Sequence, residues 1–128
     1  TQRRFFQAKP AEMLFDLEAD PHETKNLAES AEYADKLISM RNALVDKMKE
    51  INDLSLFPEN EMLRRALPVA TTFGVKQNQQ ISQLIDLNQL ALLPFDKAKP
   101  HLRRVIKSNN PLKQYWAWFE QNVRKEVI

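Results

Sequence analysis

A mainly α-helical chain with a small α+β start is the fold class this sequence predicts, and three observations carry that expectation. Tyr33, Leu37, Met40, Leu44, Met48 and Ile51 recur at steps of three or four, the period of a helix face, and similar stripes return after Asn78. Met13, Phe15 and Leu17 alternate instead with Leu14 and Asp16, the period of a strand. A single glycine, Gly74, stands against seven prolines. That disfavours a sheet built on many tight hairpins, and equally a glycine-built phosphate loop.

The elements follow in order. Arg3 to Gln7 and Met13 to Leu17 read as two short strands turning near Lys9-Pro10. Such a hairpin is marginal alone and needs a surface to lean on. Its open edge is a place where a second copy could pair, giving a homodimer. Asp20-Pro21-His22-Glu23 reads as a helix start: Asp20 as cap, Pro21 at the first helical position, Glu23 closing a capping box. Ser30 is the expected cap of the longest helix, Ala31 to Asn52, whose apolar stripe should pack on the hairpin face carrying Phe15. Leu44→Ala would then cost about 2–5 kcal/mol.

Leu54 to Pro58 is a connector, and Glu59 to Leu67 a short helix stopped by Pro68. Val69 to Gln77 reads as irregular, with Gly74 at a turn, and marks a boundary between subdomains 1–68 and 69–128. Asn78 to Leu93 follows as a helix offering Ile81, Leu84, Ile85, Leu92 and neighbouring leucines, stopped at Pro94. Asp96 is the expected cap of the next helix, running to about Ser108 with Ala98, Leu102, Val105 and Ile106 inward and Pro100 in its first turn. Asn110-Pro111 opens the last helix, with Leu112, Trp116, Phe119 and Val123 as its stripe. Short helices with proline-containing joints suggest stacked helical hairpins like HEAT repeats.

Composition narrows the function classes. The 128 residues suit a domain with a real core, and 43% hydrophobic with 28% charged residues is ordinary for a globular protein. No apolar run has the length of a membrane span. A net charge of +2 is too slight to argue for nucleic acid. The chain has no cysteine, which removes disulfides, thiolate metal sites and a cysteine nucleophile. Thr1-Gln2-Arg3-Arg4 shows neither an initiating Met nor a signal peptide. The expectation is a piece of a longer protein.

The run Glu12-Met13-Leu14-Phe15-Asp16-Leu17-Glu18-Ala19-Asp20-Pro21-His22-Glu23-Thr24-Lys25-Asn26-Leu27-Ala28 resembles the segment near the C-terminal end of the type I sulfatase catalytic region, E-L-Y-D-L-x-x-D-P-x-E-x-x-N-L-A. Phe15 stands where that pattern has Tyr. The resemblance extends roughly from Arg4 to Met62 and implies that 1–68 is a sulfatase C-terminal-like subdomain. Pro100-x-Leu102 through Ile106, Pro111 and Tyr115-Trp116-Ala117 resembles the HEAT-like extension found after some bacterial sulfatases. Sulfatases of this type cleave sulfate esters or sulfamates with a formylglycine, made from Cys or Ser in C/S-x-P-x-R, and a calcium ion held by acidic residues. No serine here begins S-x-P-x-R, so no catalytic, cofactor-binding or metal-binding residue is carried over. The resemblance implies a non-catalytic fragment with no cofactor of its own. Its parent would be an exported, periplasmic or extracellular sulfatase acting on a sulfated sugar, with calcium and formylglycine elsewhere.

Several residues remain as candidates for contact. Asp16, Glu18, Asp20 and Glu23 form an acidic cluster, read as caps and solvated charge rather than a calcium site. His22 is either a surface histidine or part of a substrate rim. His101, Arg103 and Arg104, with Lys97, Lys99 and Lys107, give one helix a basic face. That face is either simply solvated or meets a sulfated glycan or phosphates. Trp118 falls off the stripe of Trp116 and Phe119 and is the better surface aromatic. The implied partner is the chain's own catalytic domain. The alternatives are a standalone helical interaction module and, third, a nucleic-acid binder using Lys97 to Lys107.

Overall fold

The computed structural model describes residues 10–67 and 69–124. Among them there are six α-helices and no strand. The helices are α1 (Ala34–Glu50), α2 (Glu59–Glu61), α3 (Ala70–Lys76), α4 (Asn78–Asn88), α5 (Phe95–Ile106) and α6 (Pro111–Val123). A 3-10 turn, Ala31–Tyr33, leads into α1, and another, Gln89–Leu92, follows α4. The chain divides into two compact units, Thr1–Ala43 and Leu44–Ile128.

In the first unit the expected hairpin is not formed. Its first strand, Arg3 to Gln7, lies outside the described residues, and Met13 to Leu17 is irregular chain running into a turn. The reason is local competition for backbone hydrogen bonds. Asp16 Oδ1 accepts from the N–H groups of Glu18 and Ala19, and the Asp16 carbonyl accepts from Asp20. Side-chain oxygens thus take the place of a ladder. With no strand there is no hairpin edge among the described residues for a second copy to pair with. Asp20-Pro21-His22-Glu23 is likewise a turn and not a helix start, and Glu23 takes a left-handed φ of 51°. Helical structure begins only at Ala31, after Ser30, whose side chain makes no capping bond.

Helix α1 is nearly as long as its stripe predicts, but the stripe is only partly covered: Tyr33, Leu37 and Met48 are half-buried and Ile51 is exposed. Leu44 is 61% exposed and Met40 52%, and no residue of the helix is buried. With no sheet face to pack on, Leu44→Ala loses its expected large cost. The helix ends in a Schellman motif: Asn52 at φ 53° donates to Lys49, and Asp53 donates to the Met48 carbonyl.

The second unit has the core. Leu56, Phe57, Ala66, Phe73, Ile81, Leu84, Ile85 and Leu112 pack together, with Val45, Met48 and Trp116 partly buried against them. Residues on both sides of Pro68 therefore share one interior. Phe57 and Phe73 meet edge to face at 5.4 Å. Trp116 Nε1 donates to the Leu56 carbonyl at 2.6 Å, tying α6 to the connector before α2.

Val69 to Gln77, expected as irregular, is instead helix α3. Thr71, Thr72, Gly74 and Val75 are poor helix formers, so local propensity hid it. Tertiary contact explains the glycine. A Cβ at Gly74 would lie 3.2 Å from the Asn52 carbonyl oxygen and 3.3 Å from the Asn52 Cβ. Gly74 serves a close approach, not a turn.

Pro94, rather than Asp96, holds the N-cap position of α5, and Pro100 lies inside the helix, beyond its first turn. Ala98 and Leu102 are fully buried and pack with Ala117 of α6, flanked by Leu87, Phe95, Val105 and Ile106. Asn110 caps α6 as expected, its Oδ1 accepting from Lys113 N–H with Pro111 at the first helical position. Arg124 closes the end of this cluster: it donates to the Leu90 and Leu93 carbonyls, pairs with Glu120 and lies over the Phe95 ring. Helix α6 packs against both α5 and α4, and α3 against α4.

Candidate functional site

Two regions collect the candidate residues. The first is the Pro10–Ala28 run. Asn26 latches it: its Oδ1 accepts from Leu14 N–H at 2.9 Å and from Ala28 N–H at 3.1 Å. Leu27 N–H donates to the Leu14 carbonyl at 2.8 Å. Leu14 and Leu27 are the buried pair beneath this latch. Glu12 forms a bidentate pair with Arg41 of α1, both bonds 2.6 Å long. That pairing holds the guanidinium above its ordinary pKa, despite partial desolvation.

Asp20 ties the turn. It accepts from Lys25 N–H and Thr24 N–H, each at 2.7 Å, and from the Thr24 hydroxyl at 3.0 Å. The Lys25 N–H, followed by the Thr24 donors, holds the Asp20 carboxyl below its usual range; desolvation opposes this. The acidic cluster therefore works through Asp16 and Asp20 as acceptors for backbone N–H groups. His22 sits exposed on the same turn.

Beside the latch lies a groove of about 480 Å³, lined by Leu14, Leu17, Leu27, Tyr33, Lys36 and Met40 among others. Its apolar lining stays open, with Met13 and Leu17 more than half exposed nearby.

The second region is the face of α5. His101 and Arg104 line a groove of about 280 Å³ together with Lys113 from the first turn of α6. Arg103 lies in a different groove, with Ile106, Lys107 and Gln121. Trp118 is 58% exposed on α6, as its position off the stripe predicts. Trp116 is partly buried, whereas Phe119, read as core, is 41% exposed, its ring stacked on that of Tyr115. The structure thus joins His101 with Arg104 in one groove and places Arg103 in another. Lys113 and Arg41 were not legible as members of either region. Each meets its neighbours only through packing, and the Asn110-Pro111 cap was the one signal that could have placed Lys113 in a first helical turn.

The chain lacks cysteine and S-x-P-x-R, and among the described residues no three or more His, Asp or Glu side chains could hold one metal ion. No described helix is long and apolar enough to cross a membrane.

With this geometry in hand, comparison with known proteins finds an ulvan-active sulfatase from Formosa agariphila, 36% identical over 78 residues. The match supports a sulfatase-related region. It covers 61% of this chain but 13% of that protein, so the chain spans a small fraction of its relative. No protein-family model matches the chain, and no solved structure matches it.

Proposed function

We propose that this chain is a non-catalytic, C-terminal part of a type I sulfatase-like hydrolase, which braces the catalytic domain and shapes substrate entry. The observation that carries this reading is the division of labour in the Pro10–Ala28 run. Glu12, Leu14, Asp16, Asp20, Asn26 and Leu27 of the sulfatase-like pattern each hold the local fold. Met13, Leu17 and Met40 meanwhile leave apolar surface uncovered beside them. A latch that presents an apolar groove suits a brace better than a reaction centre. The parent would carry formylglycine and calcium outside this chain, act on a sulfated sugar or similar sulfate ester, and be exported. The relative's description as an ulvan-active sulfatase favours that substrate class.

The test is twofold. This chain should give no turnover of an aryl sulfate, and the coding sequence upstream of Thr1 should contain C/S-x-P-x-R. Turnover by the chain alone, or an unrelated domain upstream, overturns the reading. A second reading, a standalone helical interaction module, draws on the uncovered residues Ile38, Met40, Leu44 and Ile51 of α1 and its end. It would be favoured by an upstream sequence that lacks the motif.

A further inference from the structure

We propose that the groove between α4, α5 and α6 binds a sulfated sugar residue of an anionic polysaccharide. The inference rests on the sulfatase-like reading for its ligand class and on the groove for its chemistry. Helix α5 and its C-cap carry five cations, Lys97, Lys99, Arg103, Arg104 and Lys107, against one carboxylate, Asp96. Among the described residues none of these five pairs with a carboxylate, and neither does Lys113. Elsewhere among the described residues Arg41, Lys47, Lys49, Arg64, Arg65 and Arg124 do, while the scattered Lys25, Lys36 and Lys76 do not. Among the described residues, unpaired cations are thus densest on this helix, although the net charge is small.

The groove gives that field a shape. Arg104, His101 and Lys113 bring nitrogen donors to it from two helices, and Leu87, Leu90 and Val105 supply an apolar lining. The acidic member, Asp86, is held by Lys49 at 2.6 Å and so is partly neutralised; Gln83 adds an amide. A sulfated sugar presents the complement. Its sulfate takes the guanidinium in a two-point hydrogen bond, and the C–H face of the ring lies on leucine and valine. At about 280 Å³ the groove is at the low end for ligand sites, suited to one sugar unit rather than a long segment. No aromatic side chain lines it, so it lacks the stacking platform that single-stranded nucleic acid uses.

The experiment measures binding of the 128-residue chain to heparin, to desulfated heparin of the same length and to duplex DNA, by calorimetry at several salt concentrations. Heparin should bind with an affinity that falls as salt rises, and desulfation should weaken it at least tenfold. The double variant Arg104→Gln, Lys113→Gln should lose at least tenfold. Arg103→Gln, Lys107→Gln, which removes the same charge from the neighbouring groove, should change affinity less than threefold. Circular dichroism checks that both variants fold. No heparin binding, equal or tighter DNA binding, or equal losses in the two variants would each overturn the proposal. Loss of heparin binding alongside an upstream C/S-x-P-x-R motif removes the groove and leaves the sulfatase-like reading standing. Binding without that motif does the reverse.

Discussion

The two compact units hold themselves together by different means. In Leu44–Ile128, the side chains of Ile81, Leu84, Ile85 and Leu102 are almost wholly removed from water. In Thr1–Ala43, Leu14 and Leu27 are the buried apolar residues among those described, and Asn26, Asp16, Asp20 and the Glu12–Arg41 pair do the rest. A core tolerates exchange among apolar residues of similar size. A hydrogen-bonded latch does not, because each oxygen must meet a particular N–H. That difference explains why the most specific run of residues, Glu12 to Ala28, lies in the first unit, although the 78-residue match to the sulfatase is longer than that unit and extends beyond it.

The comparison can be broken from its strong end downwards. Leu84→Ala should destabilise the second unit by about 2–5 kcal/mol, read as a lower urea midpoint; a loss under about 1 kcal/mol would mean that this core is not the main support. Gly74→Ala should be destabilising by about 1 kcal/mol net. The new methyl meets the Asn52 backbone, which cannot swing aside as a side chain would. That clash outweighs the roughly 1 kcal/mol that alanine gains within a helix. A stabilised variant would mean that Asn52 shifts freely. Asn26→Ala should cost about 1–2 kcal/mol, confined to the first unit. Hydrogen exchange should quicken at Leu14 and Ala28 while the amides of α4 keep their protection. A uniform rise in exchange would show that the latch supports more than its own unit.

Acid should weaken the same unit. The Asp20 pKa is depressed on folding, so its contribution is complete above the unfolded value near 3.8 and is lost as pH falls through the lower folded value. Amide exchange at Thr24 and Lys25, corrected for its intrinsic pH dependence, should therefore rise over that acid range and not around neutrality. Asp20→Asn should abolish the dependence. Leu44→Ala should have the smallest effect, within about 0.5 kcal/mol, since the side chain is exposed. A large loss there would mean that the stripe of α1 is covered in solution.

Much of the helical half was legible in advance. Ile81, Leu84 and Ile85, the inward set of α5 and the Asn110-Pro111 cap stand where their spacing and chemistry put them. Helix α3 was hidden because Thr71, Thr72, Gly74 and Val75 argue locally against a helix, while the fit of Gly74 to Asn52 is a long-range fact. The strand at Met13 to Leu17 failed for a related reason. Alternation announces a surface with two faces, and whether a ladder forms depends on a partner that alternation cannot supply.

What the sequence by itself determined is the helical period of the second half, the absence of a cysteine nucleophile and the sulfatase-like run with its helix-capping residue types. What only the tertiary structure decided is where those groups meet. Asp20 and Asn26 accept hydrogen bonds in either kind of turn, and Arg104 and Lys113 are cations on any helix. Partner and distance come from packing, because a side chain's chemistry is local and its neighbours are set by the whole chain.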